Sequence, residues 1–310
     1  MRVLIVASNN SEHPFVNEQM NNISDVGIEC DFFGVSGRGL KGYLSSLPSL
    51  YKKIRCYKPD IIHAHYGLSG LFANLQRIVP VVTTYHGSDI HSSSITLLLS
   101  KIAMHLSAYN VFVAQNLFDI SRYRGSNYII QSCGLNLDIV KPIDMSYARK
   151  QMGLDADKHY ILFAGSFDNP IKNSALAIEC VKQINNSHLI ELKNYSKSEV
   201  SLLMNACNAL LVTSFRESGP LVVKEAMACG CPVVTTDIGD VKWVIDGTEG
   251  CYICSFDVND CKNKIEEALQ FSTKHKHTNG RQRIIDIGLD NRNVASRIIS
   301  CYEWVMRNRV

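Results

Sequence analysis

The stretch LLVTSFRESGPLVVKEAMACGCPVVTT, Leu210 to Thr236, decides the fold. The apolar run Ala209–Val212 reads as a buried strand, and Pro232–Val234 opens a second one. Between them Pro220 stands where a helix begins. Leu221, Val222, Ala226 and Ala228 keep helical spacing, and Gly230 ends it. Strand, loop, helix, turn, strand is a βαβ unit. Its loop, Ser214–Gly219, is aimed at the carboxyl edge of a parallel sheet, where open α/β sheets bind their ligands.

Two carboxylates mark this unit. Glu217 lies in the loop and Glu225 inside the helix, seven residues apart in between. A carboxylate accepts hydrogen bonds from neighbouring hydroxyls, so such a pair suits a ligand rich in vicinal diols, such as ribose or a hexose. The helix start at Gly219–Val222 offers N–H groups and the positive end of a dipole, which suits a phosphate. The plainer alternative makes Glu217 a helix cap and Glu225 a solvated helix residue. The small and apolar residues around both, and Ser-Gly-Pro at the turn, weigh against it.

These residues resemble the E-x7-E signature of retaining GT-B glycosyltransferases of family 4, and the run EAMACGCPVVTTDIGD, Glu225 to Asp240, matches that family closely. The resemblance implies an α/β protein of GT-B fold, with two Rossmann-like domains facing a central cleft and a last helix crossing back to the N-terminal domain. It places Glu217 at the donor sugar and Glu225 at the ribose, with Ser218, Gly219, Pro220, Leu221 and Val222 around the phosphates. The family usually carries Gly-Phe-Gly after the first glutamate, where this chain has Ser218-Gly219-Pro220.

Two more stretches extend the resemblance. DIIHAHYGLSG and PVVTTYHGSDI resemble the family's acceptor domain, which implies that His86 reaches the donor sugar and that Asp89 binds acceptor. Gly165 to Asn173 resembles the family's first loop of the donor domain and points to Lys172 as the cation for the diphosphate. An arginine often follows the glycine there; this chain has Ser166, kept as a donor-binding candidate. As an alternative, Lys172 is an exposed loop lysine. Asn10, in the loop after the first strand, and Arg38, in a glycine-rich basic loop, are candidates for the acceptor.

Length and composition fit this reading. The 310 residues suffice for two domains, and 46% hydrophobic with 20% charged residues describes a packed globular chain. The expected division is residues 1–145 for the acceptor, 146–291 for the donor, and 292–310 as the returning helix. A net charge of +3 argues for no nucleic acid. Between Asp31 and Asp60, however, Arg38, Lys41, Lys52, Lys53, Arg55 and Lys58 meet no acid. A helix over Tyr43–Tyr57 would carry Lys52, Lys53 and Arg55, with Lys58 just past its end, either as a solvated face or as a patch meeting an anionic inner-membrane surface.

MRVLIVAS reads as a strand rather than a signal peptide, and no apolar run is long enough to span a bilayer. Eleven irregularly spaced cysteines read as reduced thiols, so the expected location is cytoplasmic. Gly37 to Gly42 spells GxGxxG but follows the second strand and lacks the acidic partner of a dinucleotide site, so it reads as a flexible loop. His63 and His65 share one strand face without a third ligand, and Cys229, Cys231, Cys251 and Cys254 lack a free constellation, so no metal is expected.

The function the resemblance implies is retaining, metal-independent transfer of a sugar from a UDP- or GDP-linked donor to a hydroxyl of a glycan or lipid-linked glycan, in bacterial surface polysaccharide synthesis. The nucleotide-sugar is a co-substrate, and no cofactor is implied. A GT-B epimerase acting on the nucleotide-sugar and a non-catalytic partner of a transferase are the competing readings.

Overall fold

The computed structural model describes residues 1–8, 14–36, 39–91 and 94–308. The chain divides into two compact units, Met1–Gly134 with Asn291–Val310, and Leu135–Asp290.

The first unit is built on a six-stranded parallel sheet. Its strands are β1 (Arg2–Ser8), β2 (Glu29–Val35), β3 (Ile61–His65), β4 (Val81–Tyr85), β5 (Tyr109–Phe112) and β6 (Tyr128–Ile130), in the order β2-β1-β3-β4-β5-β6. Side chains of a strand alternate between faces, and both faces of this sheet are covered. Val3, Ile5 and Ala7 of β1 pack with Val294, Ala295, Ile298 and Tyr302 of the chain's last helix, Asn291–Arg307. Leu4 and Val6 pack the other way, on Leu50, Ile54 and Phe72. The last helix therefore belongs to the first unit, as expected.

The second unit carries β7 (His159–Phe163), β8 (Ser187–Glu191), β9 (Ala209–Val212), β10 (Val233–Thr236) and β11 (Cys251–Cys254), all parallel, in the order β11-β10-β9-β7-β8. Leu210 and Val212 of β9 face one core with Val223 and Met227; Ala209 and Leu211 face the other with Ala177 and Ile265. The chain runs from β7 outward to β8, then returns to β9 on the opposite side of β7. The direction of winding therefore reverses between β7 and β9, which makes their carboxyl ends the switch point where such sheets bind ligands.

Two local expectations are corrected. Tyr43–Tyr57 is not one helix: it is split into Gly39–Ser45 and Leu47–Tyr57, so Gly39 to Gly42 is helical rather than loop. Pro48 lies in the first turn of the second helix, where a missing N–H is tolerated, and inside a continuous helix it would not be. The Ser46 hydroxyl donates to the Gly42 and Ser36 carbonyls and holds the break. The helix Lys197–Ala206 is capped by Ser196, in a capping box with Glu199. The helix Met145–Met152, capped by Asp144 and ended by Gly153, belongs to the second unit.

Of the basic interval, Lys52, Arg55 and Lys58 are exposed, while Lys53 is paired with Asp31 at 2.5 Å. Among the described residues no helix is long and apolar enough to cross a membrane.

Candidate functional site

The carboxyl edge of the second sheet is built from three loops sewn together by backbone and hydroxyl groups. The loop after β7 ends in a short 3-10 turn, Pro170–Lys172, with Asn169 as its cap. The loop after β9 lies against it: Thr213 Oγ1 donates to the Lys172 and Asn173 carbonyls at 2.9 Å each, and Phe215 N donates to the Ile171 carbonyl at 2.9 Å. From the other side, Thr236 Oγ1 at the end of β10 donates to the Ser214 carbonyl at 2.8 Å. The loop Ser214–Gly219 is thus fixed from both flanks before any ligand arrives.

This framework brings together two residues that lie 45 positions apart. Lys172 Nζ stands 2.6 Å from Glu217 Oε1, each side chain 22% exposed. The same carboxylate oxygen accepts from Ser214 Oγ at 3.0 Å. Gly165 makes the approach of the lysine possible: it has φ +151°, and a Cβ there would lie 3.0 Å from Lys172 Cγ and Cε. The pair bridges the loops after β7 and β9, which is the switch point of the sheet.

Beside the pair the chain turns into the helix Leu221–Cys229, with Pro220 at its N-cap and Gly230 in the left-handed region at its end. Leu221, Val222 and Glu225 are half-buried. The turn at Ser218–Gly219 is clasped from behind by the loop after β10. Gly239 has φ +58°, and a Cβ there would stand 2.2 Å from the Ser218 carbonyl oxygen. Ser166 donates to Asp168 and to Glu191 Oε1, the latter at 3.0 Å, and Glu191 also accepts from Phe167 N at 2.5 Å. Asp168 in turn pairs with Lys193 at 2.9 Å. Where an arginine is common in the family, this chain has a serine set among acids.

In the first unit His86 follows β4, and its ring belongs to a stack. His63 and His65, on one face of β3, have centroids 4.6 Å apart, and His65 and His86 are 5.2 Å apart. His65 Nδ1 and His86 Nε2 lie 2.9 Å apart, so one of them carries the proton that both share. His63 is held by the Tyr302 hydroxyl at 2.6 Å and Thr84 Oγ1 at 2.7 Å. Burial pushes the pKa of His63 down to about 3, with a smaller contribution from His86. The Tyr66 ring packs on His86 with centroids 4.7 Å apart, and its backbone sits at φ +73°, ψ 148°, a region that costs on the order of 1–3 kcal/mol and persists only where the surrounding structure enforces it.

Asp89 is buried, and its carboxylate accepts from the N–H groups of Gly87 at 2.8 Å, Gly67 at 2.9 Å and His86 at 3.2 Å. It ties the His86 loop to the start of the helix Gly67–Asn74. Burial raises its pKa to about 6 against those hydrogen bonds. Asn10 and Arg38 lie outside the described residues.

All eleven cysteines are free, and burial pushes the thiols of Cys229 and Cys251 up to about 11 and about 12. Among the described residues no three His, Cys, Asp or Glu side chains are placed to hold a metal ion.

Sequence reasoning passed over Lys224 and Asp240, a buried ion pair at 2.7 Å beneath the Gly219 turn. A lysine in a helix whose neighbours are apolar was the available signal, since a buried ammonium needs a partner.

Two parallel-sheet α/β units, each with candidate groups gathered at its carboxyl edge, define a protein of the GT-B class. Comparison with known proteins sharpens this. Residues 1–121 match the family model described as Glycosyltransferase Family 4, and residues 184–283 the one described as Glycosyl transferases group 1. The two matches fall in different units of the chain.

An uncharacterized glycosyltransferase of Methanocaldococcus jannaschii is 27% identical over 68% of this chain and 65% of its own length. A D-inositol 3-phosphate glycosyltransferase of Streptosporangium roseum is 24% identical over 71% of this chain and 64% of its own. The match thus spans a little under two thirds of these relatives. Sucrose-phosphate synthase from Thermosynechococcus elongatus superposes with a TM-score of 0.84 at 16% identity, covering 99% of each chain. Anabaena HepE in complex with UDP superposes with a TM-score of 0.78 at 16% identity, over 98% of this chain and 100% of that one. At these identities the structures show a shared fold.

Proposed function

We propose that this protein is a retaining glycosyltransferase whose Leu135–Asp290 unit binds a nucleotide-sugar and whose other unit binds an acceptor hydroxyl on a glycan or lipid-linked glycan. The observation that carries the proposal is the Lys172–Glu217 pair at the switch point of the second sheet, beside the helix start at Leu221.

A diphosphate placed against Lys172 Nζ and the N–H groups of Leu221 and Val222 finds a cation and oriented donors, which stabilise the charge that grows on the leaving group. Transfer through this site needs no metal ion for that charge. Glu217, released from Lys172 when the phosphates take the ammonium, accepts hydrogen bonds from the sugar hydroxyls. Glu225, one helical turn further along, takes the ribose. His86, fixed by its bond to His65, serves the transferred sugar as the resemblance implies. Asp89 positions that histidine's loop. Ser166 is assigned to the donor side only through its place in the loop after β7.

UDP is the first nucleotide to try, since HepE binds it, and GDP the second. A role in bacterial surface polysaccharide synthesis, with the exposed basic residues Lys52, Arg55 and Lys58 against an anionic inner membrane, completes the reading. Sedimentation with anionic liposomes at low salt tests that last part; protein left entirely in the supernatant removes it.

The decisive test screens thermal stability against nucleotides and nucleotide-sugars, then follows product with and without acceptor glycans. The expected result is stabilisation by one nucleoside diphosphate family, and acceptor-dependent transfer that survives EDTA, with the donor's anomeric configuration kept in the product. Conversion of the nucleotide-sugar itself in the absence of acceptor would instead identify an epimerase.

A further inference from the structure

Lys224 is fully buried, and its Nζ lies 2.7 Å from Asp240 Oδ2. The pair is directly under the Gly219 turn: a Cβ on Gly219 would stand 2.9 Å from Asp240 Oδ2 and 3.1 Å from Lys224 Nζ. Stability alone does not explain this arrangement. Desolvating two charges offsets most of their attraction, and an apolar pair of similar volume often serves a fold as well or better. The helix dipole opposes the ammonium too, because the lysine stem runs back toward the start of the helix Leu221–Cys229. Val223, Ala226 and Met227 around it are buried and apolar.

What the pair does hold is backbone. Gly219 rests on its charged ends, and the residue before Asp240, Gly239, closes on the Ser218 carbonyl. The turn is closely packed on both sides, and Glu217 is the residue just before it.

We propose that the buried Lys224–Asp240 pair positions the Ser218–Gly219 turn for the sugar end of the donor, so that it sets recognition of the sugar and leaves recognition of the nucleotide to Glu225. This rests on the reading of the second unit as the donor unit. Lys224 and Asp240 are positioning residues: neither touches the ligand.

The test measures calorimetric affinities for UDP and for UDP-glucose in the full chain. In Lys224→Met/Asp240→Leu, which replaces the ion pair by apolar volume, UDP affinity is expected within about threefold of wild type, while UDP-glucose affinity drops about tenfold or more. The melting temperature of that variant is expected to stay near wild type. Should the apolar pair fail to fold, Asp240→Glu keeps both charges but pushes the carboxylate one methylene into the turn, and the same split is expected. Equal losses for the two ligands, or unchanged affinity for both, in whichever variant folds, overturns the inference. Wild-type protein that binds neither ligand removes the donor reading, and the inference with it; wild-type protein that binds both leaves the donor reading standing whatever the variants do.

Discussion

Replacing Lys172 by methionine separates the two jobs that the structure gives this side chain. The ammonium is 2.6 Å from Glu217 Oε1, with both side chains about one fifth exposed. At an effective dielectric constant of about 20 that attraction is roughly 6 kcal/mol. Desolvation and lost side-chain freedom cancel most of it, so the fold loses on the order of 1 kcal/mol. A diphosphate loses more. Charge-assisted hydrogen bonds contribute about 1.5–3 kcal/mol each, which is roughly a 10- to 150-fold weaker nucleoside diphosphate. The assay is titration calorimetry with UDP at two salt concentrations, beside a thermal melt of the free protein. Lys172→Met is expected to melt within a few degrees of wild type, to bind UDP at least about tenfold more weakly, and to show a flatter salt dependence. Wild-type UDP affinity with a large loss of stability would show that Lys172 only closes a structural ion pair.

Other outcomes follow from the same geometry. Glu225→Ala is expected to weaken UDP binding, and Glu217→Ala to spare UDP while lowering turnover and UDP-glucose affinity; calorimetry and product release showing wild-type values for both would remove these roles. Gly239→Ala puts a Cβ 2.2 Å from the Ser218 carbonyl at φ +58°, so it is expected to destabilise the protein by at least about 1–2 kcal/mol and to lower UDP-glucose affinity, read by thermal melt and calorimetry. His63, whose pKa burial holds at about 3, stays neutral in the fold while the unfolded chain takes a proton near pH 6.5. Its contribution is complete above pH 6.5 and is lost as pH falls, about 3 kcal/mol by pH 4.5. The stability of His63→Gln is therefore expected to fall less steeply over that interval, and an identical slope would refute the assignment.

Much of this was legible in the sequence where local pattern and tertiary need coincide. Ala209–Val212 is a fully buried parallel strand and therefore a continuous apolar run, and the helix after it starts at proline and stops at glycine, as read. The loops carrying Lys172 and Glu217 were legible as site loops because a strand precedes each. The helix Gly67–Asn74 was not, because it is buried nearly all round and shows no polar stripe. The cap at Ser196 is marked in the sequence only by its spacing from Glu199, since Ser198 also precedes the apolar run. The Lys224–Asp240 pair joins residues 16 positions apart in different elements, and no period or motif links them. The same holds for the contact of His63 with Tyr302, made by a helix 239 positions further along the chain.

A structure of the protein bound to UDP-glucose tests the central claim most directly. The diphosphate is expected against Lys172 Nζ and the N–H groups of Leu221 and Val222, the ribose on Glu225 and the glucose hydroxyls on Glu217. A nucleotide seated away from the carboxyl ends of β7 and β9, or a Lys172–Glu217 pair left untouched by the bound ligand, would contradict it.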